Sequence, residues 1–187
     1  VQARRYIAIA EMLRNFAADG RVLDVGCGEG VLRNWLPAYT LYTGIEASAT
    51  AARIARSRDP TSRIVHAAAE DYTDDGERFD SIVFNEMLYY TADPRGLVRK
   101  YAALLRPAGL TLCSIYQKPE RISLKSAIRR WADPRRPVSN KHCEAMVRGL
   151  IDEEGWPILE DRSVPIPGGT QEHWHIWIMR PRGSTAT

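Results

Sequence analysis

The stretch VLDVGCGEG, Val22–Gly30, runs from branched apolar residues into three glycines spaced by one residue. That order reads as a buried strand ending in a turn almost bare of side chains, where something approaches the backbone closely. Gly26, Gly28 and Gly30 would then stand at the first strand-to-helix turn, where open α/β sheets hold their ligands. A dinucleotide-binding turn spaces its glycines as GxGxxG, and here the third of those positions is Val31. The departure counts against a nicotinamide oxidoreductase.

Outward from this turn, short apolar runs alternate with longer helical patterns, the signature of βαβ units around a mostly parallel sheet. Strands are expected at Arg21–Val25, Leu41–Ile45, Arg63–His66, Phe79–Phe84, Leu110–Ile115, Ile158–Val164 and Trp174–Met179. Helices are expected at Gly30–Leu36, Ser48–Arg56, Pro94–Leu105 and Asn140–Glu154, with Ser48 and Asn140 as N-caps. Gly109 and Gly155 stand where the chain would leave a helix for a strand. Ala3–Phe16 reads as an amphipathic helix with Ile7, Ala10, Met12 and Phe16 toward one side, packing on the sheet or covering the site. PIPGGTQE, Pro165–Glu172, is too short for a crossover helix, so the last two strands must form an antiparallel hairpin.

The chain has 187 residues and reads as one domain, with an N-terminal helical segment over residues 1–18 and a basic insert over 117–137. Gly183–Thr187 reads as a frayed tail. No apolar run approaches the roughly 20 residues that span a bilayer, and the start lacks the pattern of a secretion signal. Cys27, Cys113 and Cys143 are odd in number and contain no CxxC, which argues against a disulfide framework or zinc knot and fits a reducing cytoplasm. The chain begins at Val1 rather than Met, so a few residues are expected upstream. A net charge of +3 is too small to imply a nucleic-acid partner.

Two carboxylates sharpen the reading of the turn. Asp24 lies on an apolar strand, where it needs amides or a ligand to satisfy it; capping the turn is the plainer alternative. Glu46, in GIEAS at the end of the second strand, would accept hydrogen bonds from both hydroxyls of a ribose and disfavour a 2′-phosphate; a solvated strand end is the plainer alternative. Together they point to an adenosine derivative.

VLDVGCGEG, GIEAS, HAAAEDY, FDSIVFNEMLYY and LLRPAGLTLCSIY follow one another in register, and in this order they resemble the motif set of class I S-adenosylmethionine-dependent methyltransferases, of the kind that act on small natural products, nodulation factors and sugars. The resemblance covers about residues 20–116. It implies a three-layer αβα Rossmann-like fold with a seven-stranded, mostly parallel sheet and a terminal antiparallel hairpin. It also implies S-adenosyl-L-methionine as cofactor, a biosynthetic role, and roles for individual residues. Gly26, Cys27 and Gly28 pass under the methionine part, with Asp24 near its amino group. Glu46 holds the ribose hydroxyls and Ala47 packs on the adenine, whose edge meets Ala69 and Glu70. The acid that commonly faces the adenine amino group aligns with Ala68, so Glu70, Asp71 or water takes that bond. Asn85 faces the methionine segment, unless it merely ends its strand. Cys27 reads as a packing residue, since nothing nearby supplies a base to activate a thiol.

Methyl transfer from a sulfonium is an in-line displacement with a neutral leaving group, so positioning does most of the work. A base is needed only for a hydroxyl or a protonated amine. Glu86, Tyr89 and Tyr90 in NEMLYY border the methyl group: Glu86 and Tyr90 are catalytic candidates and Tyr89 an acceptor contact, with ordinary aromatic packing as the alternative for both tyrosines. A quinone-pathway group of relatives places acid, acid and histidine for a divalent metal at such positions; here the latter two are Tyr89 and Tyr90, so no metal is expected. His142, in the first turn of its helix, is a further candidate base, and His173 an acceptor-pocket residue.

The insert carries seven basic residues against two acidic ones, an excess of five, larger than the excess of the whole chain. Leu124, Ile128 and Trp131 form an apolar stripe, while Arg121, Lys125 and Arg129 share another side. Arg121 and Lys125 are therefore acceptor-binding candidates, pointing to an anionic or sugar-linked small molecule, with a solvated basic helix as the alternative. RNA ranks below a small molecule, because aromatic interleaving is sparse. A non-catalytic cofactor-binding partner subunit is the competing reading.

Overall fold

The computed structural model describes residues 1–73, 75–118, 139–168 and 171–182. Arg121 and Lys125, with the rest of the insert beyond Lys118, and the tail Gly183–Thr187 lie outside the described residues. The chain runs through α1 (Ala3–Asn15), β1 (Arg21–Val25), a 3-10 helix (Val31–Trp35), β2 (Leu41–Glu46), α2 (Ala49–Arg58), β3 (Arg63–His66) and β4 (Phe79–Asn85). A second 3-10 turn (Leu88–Tyr90), α3 (Pro94–Ala102), β5 (Leu105–Gln117), α4 (Asn140–Glu154), β6 (Ile158–Pro165) and β7 (His173–Met179) follow.

The seven strands form one sheet in the order β3-β2-β1-β4-β5-β7-β6. β1 to β5 are parallel, and β7 runs antiparallel to both β5 and β6. This is the α/β architecture with a closing hairpin that the alternation and the short Pro165–Glu172 connection require.

Side-chain alternation along β1 sorts the two faces. Val22 joins Ile9, Met12 and Leu13 of α1 and Ala52 and Ala55 of α2. Leu23 and Val25 join Leu97 and Tyr101 of α3 and Val147 and Leu150 of α4 on the other side. The sheet is thus covered on both faces, as a parallel sheet must be. Because the chain moves outward from β1 to β3 and then returns to β4 on β1's other side, a crevice opens at the switch of direction.

Four local expectations are corrected. Val31–Trp35 is a 3-10 helix rather than an α-helix, and it begins after Gly30 in left-handed geometry (φ 72°); the few residues before β2 leave no room for further turns. Ser139, not Asn140, caps α4, accepting a hydrogen bond from the His142 amide. Gly109 lies inside β5, which starts at Leu105, so α3 ends before it rather than at it. Ile7 faces solvent, while Arg5, Ala8, Ile9 and Leu13 are buried with Ala10 and Met12.

Candidate functional site

At the carboxyl ends of β1, β2 and β4 lies a cleft of about 350 Å³, bordered by Gly26, Glu46, Ala69, Glu70, Glu86 and Tyr90. The bend after β1 forms one wall. Gly26, Gly28 and Gly30 take φ values of 73°, 57° and 72°, a region that a Cβ makes costly. At Gly26 a side chain would also collide with Met87, whose Cβ lies 2.8 Å from where its own Cβ would stand. The amides of Gly26 and Cys27 both donate to the Ile45 carbonyl, at 2.8 and 3.0 Å, which ties the bend to the tip of β2.

Glu46 completes that tie. Its Oε2 accepts the Gly28 amide at 2.9 Å and its Oε1 the Ser48 amide at 2.7 Å. Each oxygen keeps a further lone pair for a ligand hydroxyl. Ala47 also borders the cleft, and His66 Nε2 meets its carbonyl at 3.1 Å. Opposite, Ala68, Ala69 and Glu70 line the loop after β3, pinned by Tyr101 Oη to the Ala69 carbonyl and Lys100 Nζ to the Glu70 carbonyl, at 2.9 and 2.6 Å. Of the two acids considered for the adenine edge, Glu70 borders the cleft, and Asp71 is not among the residues that do.

Asp24 sits beneath the bend, 1% exposed, with Oδ2 accepting the Tyr42 hydroxyl at 2.6 Å and Oδ1 buried without a partner. Burial pushes its carboxyl up to about 7, against the opposing pull of the Tyr42 hydrogen bond and of Arg5. A raised carboxyl favours the fold below its unfolded value near 3.8, and that contribution is lost as pH rises through about 7. Wild type is therefore expected to lose stability relative to Asp24→Asn between pH 5 and pH 8, by up to roughly 2.7 kcal/mol, about 1.36 kcal/mol for each of the two pH units from 5 to about 7. Urea unfolding of both proteins at the two pH values checks this; parallel pH dependences would show that Asp24 is ionised throughout.

Cys27 is buried, with burial pushing its thiol well up. Its Sγ lies where a Cβ on Gly44 would fall, so it packs against β2 and contributes its backbone to the bend. The Oδ1 of Asn85, the last residue of β4, is buried without a partner among the described residues. These unpaired oxygens, the side-chain-free bend and the amide-held Glu46 fit a polar ligand with an amino group and a ribose, as an adenosyl amino acid has.

Glu86 closes the cleft on the β4 side. Its backbone is left-handed (φ 61°), a conformation a non-glycine residue holds only when its surroundings over-determine it. The Glu86 amide donates to the Ser114 carbonyl at 3.0 Å, and its carboxylate accepts from Tyr89 Oη at 3.2 Å and Ser114 Oγ at 3.4 Å. Burial pushes its carboxyl up, opposed chiefly by Arg5, whose Nη1 lies 3.7 Å away. Tyr89 is half-buried with its ring 4.7 Å from that of Tyr90, and Tyr90 is 71% exposed at the mouth of the cleft.

A family model described as a methyltransferase domain matches residues 2–150. The chain belongs to this methyltransferase family. Relatives named ubiquinone biosynthesis O-methyltransferase, from Coxiella burnetii (strain Dugway 5J108-111) and Dinoroseobacter shibae, are each 32% identical, over 93 and 99 residues. The matches cover 47% and 50% of this chain but only 40% of each relative's length. Among solved structures, the N-methyltransferase NodS from Bradyrhizobium japonicum WM9, in complex with S-adenosyl-L-homocysteine, matches with a TM-score of 0.72 at 20% identity, over 97% of this chain and 88% of that one. Magnesium protoporphyrin IX methyltransferase from Synechocystis PCC 6803 matches with a TM-score of 0.68 at 15% identity, over 96% and 83%. These likenesses carry the Rossmann-like fold.

Other candidates of this methyltransferase domain fall elsewhere. His142 is exposed in the first turn of α4 and is not among the residues lining the cleft; the structure does not bring it to Glu86 and Tyr90. His173 borders a second cavity of about 500 Å³, with Gln117, Lys118, Lys141, Gln171 and His175. Gln117 and His173 are register partners at the ends of β5 and β7, on the same sheet edge as the cleft. Beneath them, Glu144 accepts from Gln117, Arg148 and His175 at 2.5, 2.9 and 2.6 Å. Asp161 meets Arg148 at 2.7 Å and also pairs with His175. The Glu144 hydrogen bond, followed by that of Asp161, holds the His175 imidazole above its usual range. Among the described residues, no group of three His, Cys, Asp or Glu side chains stands together as a metal site.

Sequence reasoning missed Arg5. It is 7% exposed, its guanidinium 4.9 Å from the Tyr6 ring and 5.2 Å from the Trp174 ring, and its Nε has no partner among the described residues. A signal was present: Arg5, Ile9, Met12 and Phe16 follow i, i+4, i+7, i+11, so a cation occupies an apolar stripe. A buried cation needs an acid, and Glu86 supplies it.

Proposed function

We propose that the chain is an S-adenosylmethionine-dependent methyltransferase that transfers a methyl group to O or N of a small acceptor bearing an anionic group. The observation that carries this reading is Glu46, held by two backbone amides at the edge of a cleft whose other wall is a left-handed glycine bend. In it, Glu46 takes the ribose hydroxyls, Ala47, Ala69 and Glu70 border the adenine, and the bend with Asp24 and Asn85 receives the amino-acid part. The bound cofactor supplies an electrophilic methyl on a sulfonium, with a neutral thioether as leaving group.

The chain's own work is then to orient the acceptor and manage one proton. Glu86 is the base: its carboxylate borders the cleft, and Arg5 keeps it ionisable despite burial. Tyr89 holds that carboxylate through its hydroxyl, and Tyr90 walls the acceptor side. Relatives named for O-methylation and a structural neighbour named for N-methylation support O or N as the target. The acceptor's anionic group is met in the second cavity by Lys118, Lys141 and His173, where the carboxylate of Glu144 already accepts from Gln117, Arg148 and His175. Small-molecule biosynthesis in the cytoplasm is the setting that three buried free thiols and the relatives' names support.

Calorimetric titration with S-adenosylhomocysteine and with NADH, followed by methyl transfer from labelled S-adenosylmethionine to paired charged and neutral acceptors, tests the reading. Binding of the first ligand only, with transfer favouring hydroxyls or amines on carboxylate- or phosphate-bearing acceptors, is expected. Binding without transfer to any acceptor would favour a non-catalytic partner subunit, and binding of NADH alone would overturn the cofactor assignment.

A further inference from the structure

The opposite edge of the sheet carries a separate cavity of about 400 Å³, formed where β5 begins and β7 ends. Its lining includes Arg99, Arg106, Arg180, Arg182, Glu154 and Trp156. None of these residues borders the cofactor cleft or the second cavity.

The balance of donors and acceptors in this cavity is one-sided. Glu154 Oε1 is taken by Arg99, through Nε at 3.0 Å and Nη2 at 2.7 Å. Arg106 is paired outside the cavity with Asp80 at 2.9 Å. Arg180 is held by its backbone, the amide donating to the Pro157 carbonyl at 3.0 Å. Arg182 lies against the left-handed turn at Gly155, its Cζ 3.6 Å from where a Cβ would stand. Neither Arg180 nor Arg182 finds a side-chain acceptor among the described residues. Trp156 is buried, and its Nε1 has no hydrogen-bond partner among the described residues.

We infer that this arginine-lined cavity is a binding site for a phosphate monoester group, distinct from the methyl-transfer site. Two guanidinium groups on the cavity's lining without side-chain acceptors among the described residues suit a dianionic cluster of oxygens. The volume exceeds that of an inorganic phosphate and leaves room for the group to which it is esterified.

The test follows the Trp156 indole resonance of the full chain by ¹H–¹⁵N NMR, at constant ionic strength balanced with chloride. Inorganic phosphate and ribose 5-phosphate are the probes and ribose is the control. A saturable shift with ribose 5-phosphate and none with ribose is expected. The shift should weaken at least tenfold in apparent affinity in R180Q/R182Q, with S-adenosylhomocysteine binding unchanged. Equal affinity for inorganic phosphate would identify the free ion as the ligand, whereas tighter ribose 5-phosphate binding would identify an esterified one. Should the double substitution unfold the chain, R180Q alone carries the comparison. An indole resonance that ignores both phosphates, or moves equally in R180Q/R182Q, would mean that these arginines serve only as a solvated rim at the helix ends, and would overturn the inference.

Discussion

Glu86→Gln should lower kcat by about 10²–10⁴-fold while leaving S-adenosylhomocysteine affinity within a few-fold. Gln keeps the shape and an acceptor oxygen for Tyr89, so the substitution removes chiefly the ability to take a proton. The pH profile separates a base from a packing residue. Burial raises the Glu86 carboxyl above its ordinary value, and a base acts only when ionised. Wild-type kcat must therefore fall as pH drops through that raised value, and this acid limb must vanish in Glu86→Gln. Arg5→Gln removes the charge that opposes the shift, so it should move the limb to higher pH rather than abolish it. An unchanged limb in Glu86→Gln, with kcat within threefold of wild type, would remove Glu86 from the chemistry. The left-handed backbone at this residue (φ 61°) matters here, because a residue held at such a cost is aimed by its surroundings.

Legibility followed the range of the physics. Strand β1, its glycine bend and the carboxylate on β2 were readable because each depends on neighbours within a few residues: apolar alternation, bare turns and a strand tip. The hairpin was readable from length alone. What escaped depends on register or on burial from afar. Asp24 looks unpartnered in the sequence, yet its neighbour strand is offset so that Asp24 stands beside Gly44 and Val22 beside Tyr42, and the Tyr42 hydroxyl reaches it diagonally. Arg5 looked like one more charge on an amphipathic helix until Glu86, 81 residues on in the chain, supplied its partner. The 3-10 form of Val31–Trp35 is set by how little chain remains before β2, a tertiary limit that propensity does not register. Of the two candidate bases, Glu86 borders the cleft and His142 does not, for a reason of position: the first turn of α4 presents His142 to solvent.

Glu46→Ala should weaken S-adenosylhomocysteine binding by about 10- to 100-fold, the size expected when hydrogen bonds to a charged group worth roughly 1.5–3 kcal/mol are lost. Two effects contribute, because the carboxylate that would grip the ribose also receives the amides of Gly28 and Ser48. Losing it frees the glycine bend as well as the ligand. Glu46→Gln keeps one acceptor oxygen but turns an NH₂ group toward one of those amides, so it should bind only slightly better than Ala. The 2′-deoxy analogue of the ligand separates the two effects. Against wild type it should lose several-fold in affinity, while against Glu46→Ala the deletion of the hydroxyl should cost almost nothing, since the acceptor for that hydroxyl is already gone. If the 2′-deoxy penalty were as large in Glu46→Ala as in wild type, Glu46 would serve the bend alone. The ribose would then be held by another group, and the adenosyl geometry of the cleft would need to be redrawn around it.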